Sequence, residues 1–346
     1  MKTRAARAGA FVLLVGAGVL GVASASADGA LPLPGPAPRH REAAAAQKLN
    51  DGCVGCHAEI GAEWKASMHA AAYEDPVFKK AYAIEPLGFC RNCHAPEGDP
   101  DAGLSDEAAA LGVGCVTCHV QNDEIVGAHG SPGKEGVHPT TKDARLATAD
   151  ACAGCHEFDF PDQPGKFMQG TIGEHARSKF AKTACADCHM AKSGAHLDHR
   201  FRVAGDAKTL RSAVKVRAAR PAPDTVRLTF TADHVGHDFP TGDMFRRLEL
   251  RAVAKGPKGD ITAVPTFLRR EFRVGPMGGA SRRVQVGDSR VPGDGSAVDA
   301  EIRFADDVTG LPVHWVVAYQ RMDRGLAALF EVDMDADEIL VAEGDL

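Results

Sequence analysis

Ten cysteines fall into five identical frames, each a Cys-x-x-Cys followed at once by His: Cys53 and Cys56 with His57, Cys90 and Cys93 with His94, Cys115 and Cys118 with His119, Cys152 and Cys155 with His156, and Cys185 and Cys188 with His189. On one helical turn, residues three apart point to the same side, so the two sulfurs can add to the two vinyl groups of one porphyrin. The histidine that follows then reaches the iron from the proximal face. A single Cys-x-x-Cys would equally suit zinc or a thioredoxin-like redox pair. Five units, each closed by His and with no cysteine left over, point to five covalently attached haems of c type, and with every thiol committed to a thioether no disulfides are expected.

The second axial position decides the chemistry. A haem that only passes electrons has both axial sites filled, by His or Met, whereas substrate chemistry needs one open. Ten histidines lie outside the motifs: His40, His69, His129, His138, His175, His196, His199, His234, His237 and His314. They suffice in number for five bis-histidine irons. His129 and His138 sit in a Gly- and Pro-rich loop after the third motif, which can bring a ligand round to an iron. His129, nearer the motif, is the preferred one. His314 lies in an expected strand beside Trp315 and reads as a packing residue, and His40 sits in a linker. Met68, Met168 and Met190 are the thioether alternatives, with histidine favoured throughout.

Three segments carry a family resemblance. Trp64, Ser67 and His69, following His57 at this spacing, resemble the start of the cytochrome c554-like multihaem family. The resemblance implies that His69 is a distal ligand, and residues 59–73 read as a helix able to project it. Residues 169–178 (Gln-Gly-Thr-Ile-Gly-Glu-His-Ala-Arg-Ser), the fifth motif and His199-Arg200-Phe201 are similar to the last haem segment of many such cytochromes, including relatives of extracellular filament-forming ones. This implies a ligand role for His199, with His196 as local competitor, while His175 could reach an earlier haem. The run Gly236-His237-Asp238-Phe239-Pro240-Thr241-Gly242 is similar to loops in other multihaem cytochromes with a C-terminal β domain. Its Gly, Pro and Thr-Gly shape a tight turn. His237 is read as a ligand donated across the domain boundary, with His234 a close alternative. Arg246 and Arg247 follow it and suit propionate carboxylates.

These residues need elements to hold them. Lys2, Arg4 and Arg7, an apolar run over 11–23 and Ala25-Ser26-Ala27 have the layout of a secretory signal over residues 1–27. Residues 28–41 form a Pro-rich linker. Residues 42–201 are rich in Ala, His, Gly and Cys and poor in large apolar side chains. They are expected to form a haem domain of short helices and irregular connections, with the porphyrins as its core. From 202 to 346 there is no cysteine. Period-two runs at 212–217, 225–231, 247–253, 300–304, 314–319 and 328–333, bounded by Gly, Pro and Asp, read as antiparallel strands. The expected fold class is therefore α+β, a mainly α and irregular multihaem domain followed by an antiparallel β-sandwich-like domain.

The formal net charge is −6, and loss of the signal would remove only positive charge. The loaded chain is acidic, which argues against nucleic acid and for redox partner proteins with basic faces. The leading expectation is an electron carrier, not an enzyme, in the periplasm or outside the cell, with no membrane span in the mature chain. One alternative is an oxidoreductase with one open haem acting on nitrogen or sulfur oxyanions. All five motifs end in His, unlike pentahaem nitrite reductases, whose catalytic haem carries Lys at that place. The other alternative is a homo-oligomer, a subunit of a haem-stacked filament.

Overall fold

The computed structural model describes residues 41–160, 163–201, 205–275, 283–333 and 338–346. The expected signal segment, most of the Pro-rich linker and His40 lie outside the described residues.

The cysteine-bearing part opens with α1 (Ala43–Cys56), α2 (Ala58–Lys65), α3 (Pro76–Ile84), α4 (Gly88–His94), α5 (Asp106–Leu111) and α6 (Cys115–His119). A small sheet of β1 (Val120–Gln121), β2 (Glu124–Gly127) and β3 (Thr141–Lys142) follows. Then come α7 (Asp150–His156), the paired strands β4 (Glu157–Phe160) and β5 (Gln163–Gly170), α8 (Thr171–Arg177), α9 (Cys185–His189) and the hairpin of β6 (Lys192–Ser193) and β7 (His196–Leu197). Every motif cysteine pair lies on a helix, at the end of α1 or on α4, α6, α7 and α9. The apolar cluster here is small: Ala46, Trp64, Leu111, Val116 and Val120. That is too little surface to hold well over a hundred residues through burial alone.

The expected helix over 59–73 stops sooner, since α2 ends at Lys65 and His69 lies in the turns that follow. Ser67 Oγ accepts from the Ala70 amide at 3.2 Å, and such a side-chain bond competes with helical pairing.

The remainder begins with α10 (Ala207–Ser212) and is then almost wholly β: β8 (Val214–Ala222), β9 (Thr225–Ala232), β10 (Arg247–Gly256), β11 (Gly259–Thr262), β12 (Thr266–Val274), β13 (Arg283–Asp288), β14 (Val298–Arg303), β15 (Val313–Gln320) and β16 (Ile339–Asp345). One antiparallel sheet has the order β13-β12-β10-β15-β16, with β11 folded back on β10, and a second has the order β14-β9-β8. Inward residues from both sheets, among them Val226, Leu228, Phe230, Leu248, Leu250, Ile302 and Val317, form one buried cluster. Alternate inward and outward positions on two facing sheets are the pattern of a sandwich, so the fold is α+β as expected.

Residues 328–333 were expected to form a strand, but α11 (Arg324–Phe330) runs into them. Asp323 caps this helix by accepting from the Leu326 amide at 2.8 Å. Ala327 and Phe330, three apart, turn inward and join Met322 against Val77 and Ala81 of α3.

The β part and the helices meet at specific polar contacts. Arg321 binds Asp75 with both terminal nitrogens, at 2.9 and 3.0 Å, and Arg270 donates to the carbonyls of Phe167 and Met168 at 2.5 and 2.8 Å. Among the described residues, no helix is long and apolar enough to cross a membrane.

Candidate functional site

The motif helices bring the five Cys-x-x-Cys-His units together. The thiols of Cys93 and Cys155 are near neighbours, as are those of Cys152 and Cys185. Cys118 lies within electrostatic reach of Cys152, and Cys53 of Cys115. The first unit therefore neighbours the third, the third the fourth, and the fourth both the fifth and the second, so that first, third, fourth and fifth make a row of neighbours. The cysteines at the two ends of that row, Cys56 and Cys188, are exposed, and the other eight are partly buried.

Four motif histidines each face one histidine from elsewhere. Ring centroids are 6.1 Å apart for His57 and His138, and 6.3 Å apart for His156 with His69, His119 with His199 and His189 with His237. These rings are too far apart to touch. Two imidazoles sharing one metal, each bonded at about 2 Å, have centroids roughly 6 Å apart. Their planes differ in relative setting: 69° for His57 and His138, 65° for His156 and His69, 42° for His119 and His199, and 10° for His189 and His237.

The second ring nitrogens agree with that arrangement. His119 Nδ1 donates to the Val126 carbonyl at 3.0 Å, His199 Nδ1 to Leu197 at 2.6 Å, His237 Nδ1 to Asp238 at 3.0 Å and His138 Nδ1 to Pro139 at 3.1 Å. A proton held on Nδ1 leaves the Nε2 lone pair free for iron. His156 is the exception, its Nδ1 accepting from the Gln169 side-chain nitrogen at 2.8 Å. Burial lowers the pKa of His69 to about 4, of His156 to about 3 and of His237 to about 4, and also depresses those of His199 and His94. The neutral imidazole so favoured is the form that binds a metal. Donor type and spacing, together with the tautomer of His119, His138, His199 and His237, thus fit iron held between paired histidines.

His94 differs. Its Nδ1 donates to the Ala72 carbonyl at 2.6 Å, and Phe78 lies flat on its face at 3.6 Å and 8°. The ring is fixed with Nε2 free, yet among the described residues no histidine ring stands opposite it.

Of the histidines expected as distal partners, His69, His199 and His237 each stand across from a motif histidine. His129 and His138, in the same loop, are both exposed, and it is the His138 ring that faces His57. His175 is half-buried on α8 against Gly236, with no motif histidine across from it among the described ring contacts. His196 bonds Glu63 at 3.2 Å and His234 is exposed beside Asp233 at 3.1 Å. His314, expected to pack, is partly exposed and bonded to Asp345 at 2.9 Å. Arg246 is engaged by the Tyr319 hydroxyl at 2.5 Å and by Asp243 at 3.2 Å, and Arg247 by Gln320 at 2.8 Å.

Two residues support these segments: Glu63, which escaped the sequence reading, and Trp64, which entered it only through its spacing. Glu63 accepts from the His199 amide at 3.0 Å and from His196, and the His199 amide in turn holds its carboxyl below the usual range. Trp64 Nε1 donates to the Val113 carbonyl at 2.8 Å, tying α2 to the turn before the third motif. Nothing in their neighbours along the chain marks Glu63, since its partners lie more than a hundred residues away.

Residues 52–120, which carry the first three motifs, match the family model described as cytochrome c554 and c-prime. The fold is similar to the crystal structure of a penta-heme cytochrome c552 from Thermochromatium tepidum, with a TM-score of 0.66 at 21% identity, covering 85% of this chain and 97% of that one. No protein of curated function matches the sequence. The family match and the fold together support a multihaem c-type cytochrome.

Proposed function

We propose that this chain, a multihaem c-type cytochrome, is a periplasmic or extracellular electron carrier holding five covalently attached haems, four of them between two histidines. The observation that carries the reading is the set of four motif histidines, each facing one other histidine at the separation a shared metal requires. When bound, the haems supply one-electron redox chemistry at iron. The ten motif cysteines anchor them, and His57, His94, His119, His156 and His189 are the proximal ligands. His138, His69, His199 and His237 complete four of the irons, with His138 taking the role the sequence suggested for His129.

Residues 42–201 are then the haem-bearing domain, and residues 202–346 a β domain that lends it one ligand. Histidine ligation and an acidic chain both favour fairly low potentials. The exposed cysteines at the two ends of the row, Cys56 and Cys188, mark where redox partner proteins would approach.

One observation favours a second reading, an oxidoreductase with an open iron. His94 has no histidine opposite it among the described residues. Low-temperature EPR of the oxidised holoprotein distinguishes the two. Low-spin iron at all five sites supports a pure carrier, and a high-spin signal from one haem in five supports the open site. High-spin iron at two or more sites would sink the four-pair assignment.

A further inference from the structure

We infer that Glu174 and Arg290 are positioning residues that hold His237, and set the plane of its ring, from opposite sides of the junction between helices and sandwich. The inference rests on the proposed role of His237 as an axial ligand.

The loop after His237 is tied at every residue from 238 to 241. The Asp238 carboxylate accepts from the Gly293 amide at 2.9 Å and lies 3.7 Å from Arg290. Phe239 and Val291 exchange both backbone hydrogen bonds, at 2.8 and 2.9 Å. The Pro240 carbonyl accepts from Arg290 Nη1 at 3.1 Å. The Thr241 hydroxyl donates to Glu174 Oε2 at 2.5 Å and lies 3.0 Å from the Thr171 hydroxyl. Glu174 Oε1 closes the circuit by accepting from Arg290 Nη2 at 2.7 Å, and Asp288 binds the same guanidinium at 2.7 and 2.9 Å. The Glu174 and Arg290 side chains are only 6% and 5% exposed.

A buried ion pair is a poor source of stability, because an apolar pair of similar volume often serves as well. Fixing one arrangement among several is the better attested use, and here the fixed object is a proposed ligand. Glu174 belongs to α8, shortly before the fifth motif, whereas Arg290 belongs to the sandwich, so the pair aligns the two parts that supply His189 and His237. Close packing adds to it. A Cβ on Gly293 would lie 2.6 Å from the His237 carbonyl carbon, so only glycine lets the His237 backbone rest there.

The consequence lies in the ring plane. His189 and His237 are within 10° of parallel, while the other three pairs are turned by 42° to 69°. Parallel imidazoles act on the same iron orbital and separate it from its partner, which gives a rhombic low-spin EPR signal. Crossed imidazoles leave the two orbitals nearly degenerate and give a signal with a large maximal g value. Outer partners of a ligand set this orientation.

The test compares oxidised holoprotein carrying His237→Ala, Glu174→Gln, Thr241→Val or Thr241→Ser. His237→Ala is expected to remove the most rhombic low-spin signal. Glu174→Gln and Thr241→Val are expected to shift that signal alone towards the large-g class, and Thr241→Ser, which keeps the hydroxyl, to leave it in place. Thr241→Val preserves shape and so keeps the test readable if Glu174→Gln yields little folded protein. If both variants leave the signal that His237→Ala abolishes unmoved, the positioning role is refuted and ligation stands. If His237→Ala changes no signal, ligation and positioning fall together.

Discussion

The clearest test of the pairing is the first unit, where His138 and His129 make different demands. With His57 and His138 6.1 Å apart, the proposed pairing requires that His138→Ala strip one iron of its distal ligand and leave the other four untouched. One fifth of the iron in the oxidised holoprotein should therefore pass from low to high spin, on top of whatever the parent protein shows. His129→Ala should convert none. His129 cannot readily move in as a substitute, because nested pairings hold the loop. β2 pairs with β3, Ser131 with Thr140 and Lys134 with Val137. The His129 carbonyl also accepts from the Thr140 hydroxyl at 3.3 Å. Spin integration by EPR at low temperature reads the fraction directly, and added imidazole should restore the low-spin form by filling the vacated space. A spectrum unchanged in His138→Ala, or a fifth of the iron converted in His129→Ala, would refute the reasoning.

Three further outcomes follow from the packing. Arg290→Ala leaves Glu174 buried without its partner, a loss of about 3–5 kcal/mol. That should lower the midpoint of thermal unfolding by roughly 10 °C at about 2–4 °C per kcal/mol, as followed by circular dichroism. Asp75→Asn weakens the link to Arg321 by about 1.5–3 kcal/mol. Burial opposes the charge of Asp75, but Arg321 overrides it and holds the folded carboxyl below its usual value. The contribution should thus be complete above the unfolded value near 3.9 and vanish as the pH falls through the folded one. Denaturation of both proteins across that range would show their stabilities converging in acid, and a constant gap would contradict the ion pair. Ile302→Ala, fully buried between the two sheets, should cost about 2–5 kcal/mol while leaving the EPR of the first and third units unchanged.

What could be read from the sequence was what short-range spacing controls. The Cys-x-x-Cys-His frames define their own helical turns, and period-two alternation marked the strands from Val214 to Gln320. The stretch 328–333 failed because Phe330 and Val332 alternate with acidic neighbours while Ala327 and Phe330 also keep helical spacing, and so short a run fits both periods. The Asp323 cap decides it. Of the histidines expected as distal partners, the three that travel with a recognisable segment, His69, His199 and His237, are the ones whose rings face a motif histidine. Between His129 and His138, nearness to the motif favoured His129, whereas the nested loop turns the ring of the more distant His138 towards His57. Glu63 and Arg290 carry no local signal for their bonds to His199 and Glu174, which come from remote segments, and Glu174 entered only as part of the 169–178 resemblance.

The proposed ligand pairs have a topology that explains how so little apolar core can suffice around them. His57 joins His138, His69 joins His156, His119 joins His199 and His189 joins His237, so each span overlaps the next along the chain. Metal-mediated links of this kind restrict the unfolded chain as other cross-links do, and an interlocked series cannot be opened at one place without loosening its neighbours. The final link differs, because it ends in a sandwich with a large core of its own and is braced there by Arg290 and Glu174. The series is thus anchored at its far end by conventional packing. His94 belongs to the one unit that contributes no histidine link among the described residues, and that unit lies beside the fourth. An open position at His94 would therefore remove no link from the proposed interlock, which makes ligand binding there compatible with conduction through the four paired units.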